Sequence, residues 1–248
     1  MRARAWHHAA QAAVCDVIEP WTHGNVVRAT RYPSYWDFNE VRVEEVPKLS
    51  VEELVAFADR ALAGLAHRRL DFEEAAAAEP LRAPLEDLGW ITERLVWMRH
   101  EGPTPPGPAI PVERVPHEAV ENLRVAWLTE DFPDNPLGDH LAEAREVALL
   151  RDSEVLAVLD AGRPVAYAQL ASQGRSTEIE QVYVHADHRG NGLGTALTSA
   201  AISAAGDVED LWIVADDEGR PKQLYARLGF RPVWTAIQAL RLPERDAG

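Results

Sequence analysis

EQVYVHADHRGNGLGTALTSAA, residues 180–201, joins an alternating apolar run to three closely spaced glycines and then to an alanine-rich segment. Alternation with period two marks a strand that ends near Val184. The stretch Leu193–Ala205 reads as a helix stopped by Gly206. Between them, Arg189, Gly190, Asn191, Gly192, Leu193 and Gly194 bring bare backbone to the start of that helix. The first turn of a helix holds unpaired N–H groups and a partial positive charge, and glycine lets an anion approach without a Cβ in the way. Such a turn suits a phosphate or pyrophosphate, with Thr195 offering a hydroxyl and Arg189 a permanent charge. A Walker loop would end in Gly-Lys-Ser/Thr, and the order G-x-G-x-G departs from the dinucleotide fingerprint G-x-G-x-x-G.

The flanking sequence predicts a mixed α/β segment. A strand near Val112–Val115 precedes helical stretches around Glu118–Trp127 and Gly138–Leu149. EVLAVLDAGRPVAYAQLAS is two strands joined at Asp160–Arg163, where Asp-Ala-Gly supplies the turn. EDLWIVADD is a further strand. PKQLYARLG is a helix opened by Pro221 and closed by Gly229, and FRPVWTAIQALRL is a final strand.

VYVHADHRGNGLGTAL closely resembles motif A of the GCN5-related N-acetyltransferases (GNAT), with Arg189, Gly192 and Gly194 matching its Arg/Gln-x-x-Gly-x-Gly/Ala signature. LYARLGF is similar to their motif B at Leu224, Tyr225, Gly229 and Phe230. The resemblance covers about residues 112–242 and implies an acyl-CoA cleft, with acetyl-CoA as co-substrate and no metal. It implies that the backbone of Val182, Tyr183 and Val184 pairs with the pantetheine arm and that the turn from Arg189 to Thr195 holds the pyrophosphate. Tyr225 would lie beside the thioester sulfur as the catalytic acid; Lys222 reads either as a phosphate contact or as a solvated surface lysine. Where the family often carries an asparagine seven residues before that tyrosine, this chain has Glu218.

Acyl transfer to an amine poses two proton problems. An alkyl ammonium with a pKa of about 10.4 must lose a proton, which near neutral pH costs roughly 4–5 kcal/mol. The leaving thiolate, of pKa about 8.5 in its acid form, gains from a donor. For the base, Glu180 is the first candidate and Glu178 the second, both expected on the face that carries Val182 and Val184. Asp216 and Asp217 end a strand near the expected cleft and are candidates for an ammonium. His185 reads as a surface residue on the other face. His7 and His8 lack Cys or His partners at ligand spacing, so no metal site is expected.

The segment EGPTPPGPAIP, residues 101–111, cannot carry a helix or a central strand. It divides the chain into units 1–100 and 112–248, and these read as a repeat. FNEVRVEE resembles IEQVYVHA, and PLEDLGWITERLVWM resembles LYARLGFRPVWTAI. On this alignment the glycine turn corresponds to Lys48–Glu53, which holds no glycine, and Tyr225 corresponds to Leu85. The expectation is therefore two tandem GNAT-like domains, the first degenerate and the second catalytic. TRYPSYWDF, with Tyr32, Tyr35 and Trp36, is a candidate wall of the acceptor site, although its aromatics also suit a core.

With 25 basic against 40 acidic residues, the formal charge is −15. That field opposes binding to nucleic acid and to anionic lipid and favours a cationic partner, such as a small-molecule amine. A single cysteine, Cys15, permits no internal disulfide, and the interrupted apolar run around it is too short for a secretory core or a span. A cytoplasmic protein is the expectation, of undetermined oligomeric state. Two rival readings are an enzyme that uses a different acyl-CoA and a non-catalytic acyl-CoA-binding or scaffold protein.

Overall fold

In the computed structural model, which describes residues 2–133 and 138–243, helix α1 (Arg2–Val14) leads into β1 (Val17–Trp21), β2 (Gly24–Arg28) and β3 (Asn39–Val43). Helix α2 (Val51–Ala61), β4 (Arg68–Phe72), the short helices α3 (Ala75–Ala78) and α4 (Arg82–Asp87), and β5 (Ile91–His100) complete the first repeat. The proline-rich segment carries neither helix nor strand. The second repeat runs β6 (Glu113–Val115), α5 (Glu121–Asp131), α6 (Gly138–Leu150), β7 (Glu154–Asp160), β8 (Arg163–Gln173) and β9 (Ser176–Val184). It ends with α7 (Leu193–Ala205), β10 (Asp210–Asp216), α8 (Pro221–Arg227) and β11 (Phe230–Arg241). The elements expected from sequence in this half are all present, and the β7–β8 turn places Ala161 and Gly162 at φ 47° and 77°, the handedness that suits strand twist.

Among the described residues all the strands lie in one 11-stranded sheet of order β1-β2-β3-β4-β11-β5-β10-β9-β8-β7-β6. The order reads symmetrically about the β11–β5 pair: β3 runs parallel to β4 as β9 does to β10, and β11 and β5 are antiparallel. The repeat seen in the sequence is thus a repeat of structure. Each half nevertheless gives its last strand to the other. β11 of the second half sits between β4 and β5, and β5 of the first half sits between β11 and β10.

Side-chain packing follows the exchange. Val96 and Met98 of β5 belong to a core built otherwise from the second half, including Ile179, Leu197, Ile213 and Phe230. Ile237 and Ala239 of β11 belong to the core of Leu54, Leu70, Phe72 and Leu85 in the first half. At the seam Trp97 and Trp234 stack with ring centroids 5.5 Å apart, and the Trp234 indole donates to the Glu73 carbonyl at 2.7 Å. No described helix is long and apolar enough to cross a membrane.

Candidate functional site

β9 and β10 pair only from Ser176–Ile179 against Asp210–Ile213. Beyond that point β10 stays bonded to β5, while β9 keeps only β8. The strands part, and the edge of β9 from Glu180 to Val184 is left without a partner on its β10 side. A bulge coincides with the parting. Gln181 has φ +50°, and the register slips so that Tyr167 faces Tyr183 while Gln169 faces Glu180. Two residues of β9 thereby oppose one of β8.

The bulge corrects the expected faces. Glu180 and Tyr183 now share a side, because their partners Gln169 and Tyr167 are two residues apart. Val182 and Val184 pack against the α7 core, and Tyr183 packs with Tyr167 and Leu123 on the α5 side. Glu178 and Glu180 therefore do not share the face of Val182 and Val184. Counting by twos fails at the extra residue.

The glycine turn closes the mouth of the gap. Gly192 is the N-cap of α7 at φ 79°, with no side chain capping the helix, and Gly190 lies at φ 82°. A Cβ at either position would meet nothing within 4 Å, so the glycines serve conformation and access rather than close packing. The corresponding turn of the first half is sealed: Ser50 accepts from the Glu53 amide at 3.2 Å and Glu53 accepts from the Ser50 amide at 2.9 Å. That capping box consumes donors that α7 leaves free. Leu85, fully buried, stands where Tyr225 stands in the second half.

A cleft of about 460 Å³ runs from the turn along β9 and is lined by Val182, Val184, Arg189, Gly190, Gly194 and Tyr225, with Arg220 and Arg227 adding positive charge. Arg189 donates to the Val184 carbonyl at 2.9 Å and pairs with Glu130. Leu193 is buried in the core, Asn191 bonds to the His188 carbonyl at 3.2 Å, and Thr195 is exposed. Tyr183 presents backbone to the gap, its hydroxyl donating to Glu130 at 2.7 Å. Lys222 does not line the cleft; its ammonium bonds to the Asp217 carboxylate at 2.6 Å. Glu218, in the place of the family's asparagine, binds Arg82 of the first half through both oxygens at 3.1 Å. His185 is half-buried at the strand end, its amide bonded to the Val165 carbonyl at 3.0 Å.

Tyr225 and Val182 also line a second cavity of about 240 Å³ that lies between the halves. There Glu178 and Glu180 meet His7, Arg42, Arg69 and Asp71 from the first half. This cavity shares Tyr35, Trp127 and Gln181 with a third of about 590 Å³, whose walls include Trp36, Glu93, Arg124, Asp131 and Asp216. The TRYPSYWDF segment is seated on α6: the Ser34 and Tyr35 amides donate to Glu143 at 2.7 and 2.9 Å, and Trp36 stacks on His140. Tyr35 and Trp36 face the cavity, whereas Tyr32 packs with Ala144 and Val147. Of the two C-terminal aspartates, Asp216 reaches the cavity and Asp217 is held by Arg94 at 3.0 Å and by Lys222.

The titratable groups differ in environment. Tyr225 is buried and its phenol is pushed up to about 12 by desolvation. Glu180 is bonded by Gln169 at 2.9 Å and by Arg151, so both its oxygens are engaged. Glu178 accepts only from the Trp6 indole, at 2.7 Å. Burial first, and then the charge of Glu180, raise it to about 8. His7, Glu40 and Asp71 form a compact buried group, but Arg69 sits 3.0 Å from Asp71 and 3.3 Å from Glu40 and supplies positive charge to that group.

Because Glu178 holds its proton in the fold to about pH 8 but sheds it near 4.5 when unfolded, its contribution is full below 4.5 and is lost as the pH rises towards 8. Glu178→Gln removes that loss and keeps an acceptor for Trp6. The variant is expected to gain on the order of 1–3 kcal/mol relative to wild type between about pH 5 and about pH 9. Melting temperature against pH checks this, and parallel curves for the two proteins would refute it.

Residues 117–230 match the model of the acetyltransferase (GNAT) family. A mycothiol acetyltransferase from Nocardiopsis dassonvillei is 34% identical over 116 residues, 45% of this chain and 34% of that protein, so the match spans about a third of the relative's length. Among solved structures, a GCN5-related N-acetyltransferase from Kribbella flavida superposes with a TM-score of 0.61 at 20% identity, covering 99% of this chain and 96% of that one. A functionally unknown conserved protein from Staphylococcus epidermidis does so with a TM-score of 0.69 at 15% identity, covering 93% and 95%. The acetyltransferase (GNAT) family model thus falls on the second half of the chain, and the likeness to the two solved structures shows a fold shared along nearly its whole length.

Proposed function

We propose that the protein transfers an acetyl group from acetyl-CoA to a primary amine of a small molecule or peptide, by direct attack in a ternary complex. The observation that carries this is the junction at Val182 and Tyr225. An anion-ready cleft and a charged cavity between the halves meet there and at no other shared residue of the two. The match to the acetyltransferase model and the likeness to an acetyltransferase over 116 residues support the same reaction class.

In this reading the thioester supplies the acetyl group, and the chain supplies position and charge. The free N–H groups from Gly190 to Gly194 hold the diphosphate, with Arg189, Arg220 and Arg227 around it. The open edge at Val182–Val184 hydrogen-bonds the pantetheine amides as a further strand would. The amine enters from the cavity between the halves, where Asp37, Glu93, Asp131 and Asp216 favour a cation. Its proton passes to Glu180, directly or through water, because Glu178 already holds a proton up to about pH 8. Holding both reactants at one junction contributes most of the acceleration.

Tyr225 donates to the departing sulfur. A phenol near 12 is a weaker acid than a thiol of about 8.5, so its contribution is a hydrogen bond to developing charge rather than early proton transfer. Tyr225→Phe is expected to lower kcat by roughly 10²–10³-fold with little change in the KM for acetyl-CoA. Steady-state assay of thiol release against a panel of primary amines tests the function. Unchanged kcat in the variant would remove Tyr225 from the chemistry, and no amine-dependent release by a protein that binds acetyl-CoA would remove the transferase reading.

A further inference from the structure

Four arginines line the two inner cavities, Arg42, Arg69, Arg124 and Arg151. Three are matched by carboxylates: Arg42 by Glu44, Arg69 by Asp37 and Asp71, and Arg151 by Glu180. Arg124, on the first turns of α5, is not. It is 5% exposed, and among the described residues no carboxylate pairs with it. One of its nitrogens, Nη2, donates to Gln169 Oε1 at 2.7 Å and to His117 Nδ1 at 3.1 Å. Its Nε is buried without a partner.

Neither partner supplies negative charge. Gln169 is an amide whose NH₂ group is committed to Glu180 at 2.9 Å. His117 accepts from Arg124 at Nδ1, so its ring proton sits on Nε2, where it donates to the Ser153 carbonyl at 2.8 Å. A guanidinium is charged at any physiological pH, and burying it without an anion costs several kcal/mol. The fold tolerates this charge at the wall of a cavity of about 590 Å³, which shares Trp127 and Gln181 as lining with the cavity that reaches Tyr225.

We propose that the acceptor carries a carboxylate as well as its amine, and that Arg124 binds the carboxylate while the amine reaches Tyr225. This rests on the acetyltransferase reading above and narrows its substrate to amino-carboxylic acids, either free amino acids or short peptides with a free C-terminus. The acidic residues of the cavity then favour the ammonium, and Arg124, on the wall of the same cavity, takes the carboxylate. An uncharged amide in place of the carboxylate would leave Arg124 as it is now, buried and uncompensated. Recognition of this kind discriminates strongly, because the mismatch leaves a desolvated charge without its partner.

The test uses the full chain and matched probes: free α-amino acids, dipeptides, and the C-terminal carboxamide of each. Thiol release from acetyl-CoA gives kcat/KM, and calorimetric titration of the same compounds into the CoA-loaded protein gives affinity. In wild type the best acid is expected to exceed its carboxamide by at least about tenfold. Arg124→Gln should bring that ratio close to unity, and Arg124→Lys should retain part of it, with CoA binding by both variants reporting an intact fold. Free amino acids outperforming dipeptides, or the reverse, identifies the source of the carboxylate. Equal use of acids and carboxamides by wild type overturns the proposal, and so does a preference that survives in Arg124→Gln or the absence of any binding by the acids. If the acids bind through Arg124 but no acetyl is transferred, the anion seat stands and the acetyltransferase reading fails.

Discussion

A Gly192→Glu variant is expected to lose affinity for acetyl-CoA by at least about 100-fold, equivalent to roughly 2.7 kcal/mol, while keeping its fold. Gly192 is the N-cap of α7 with φ 79°, and a Cβ there meets nothing within 4 Å. The cost to folding is therefore conformational, about 1–2 kcal/mol for a non-glycine residue in the left-handed region. The cost to binding is larger. A carboxylate placed at the helix terminus about 4 Å from a phosphate opposes it by about 4 kcal/mol at an effective dielectric of about 20. Gly192→Asn, a residue that tolerates this φ, is the control and should bind within about tenfold of wild type. Calorimetry reads both affinity and stoichiometry. One site per chain is expected, because the capping box of Ser50 and Glu53 closes the equivalent turn in the first half. Retention of tight binding by Gly192→Glu would remove the diphosphate from this turn.

The second large effect concerns the exchanged strands. Met98 is fully buried in the core of the second half although it belongs to the first repeat, and Ile237, 1% exposed, lies in the core of the first half although it belongs to the second. Met98→Ala and Ile237→Ala are each expected to destabilise by about 2–5 kcal/mol, the usual range for truncating a buried side chain. Each should shift the unfolding of the entire chain. β11 is bonded to β4 and β5 at once, so neither half can open without exposing the edge of the other. Denaturant unfolding followed by fluorescence, to which the seam residues Trp97 and Trp234 contribute, should coincide with unfolding followed by far-ultraviolet dichroism. A chain ending before Phe230 should yield no folded first half. Two resolved transitions, with Met98→Ala moving only one of them, would refute the exchange.

The contrast between the two halves supports the proposal that the second repeat carries the acetyl-CoA site and the first does not. Both place a strand, a helix and a parallel strand in the same order. What differs is local: glycines at positive φ and an uncapped helix in one, a serine–glutamate capping box in the other. The first half instead contributes wall. Tyr35, Trp36, Asp37 and Arg69 face the inner cavities, and α1 adds His7 there while Trp6 bonds Glu178.

Much of this was legible in the residues alone, for a definite reason. Strand alternation, helix stops and the glycine turn are set by backbone preferences over a few neighbouring residues, so RGNGLG and LYARLGF announce their geometry wherever the chain goes next. The repeat was visible because each half keeps that local grammar. Other features depend on partners far away in sequence. The extra residue at Gln181 inverts the side on which Val182 and Val184 lie, because register is decided by β8 and not by β9. The exchange of β5 and β11 follows from the pairing of edges some 140 residues apart, and no local periodicity encodes it. Arg124 reads as an ordinary helical arginine until the fold places it, buried and without a carboxylate, at a cavity wall. By itself the sequence determined the elements of the second half, their order and the glycine turn before α7, since these are short-range properties of the backbone, whereas α1, β1 and β2 of the first half were not read from it. Tertiary structure alone decided which strands meet, which face each side chain takes and which charges are left unmatched, since burial and pairing exist only between parts of the chain that folding brings together.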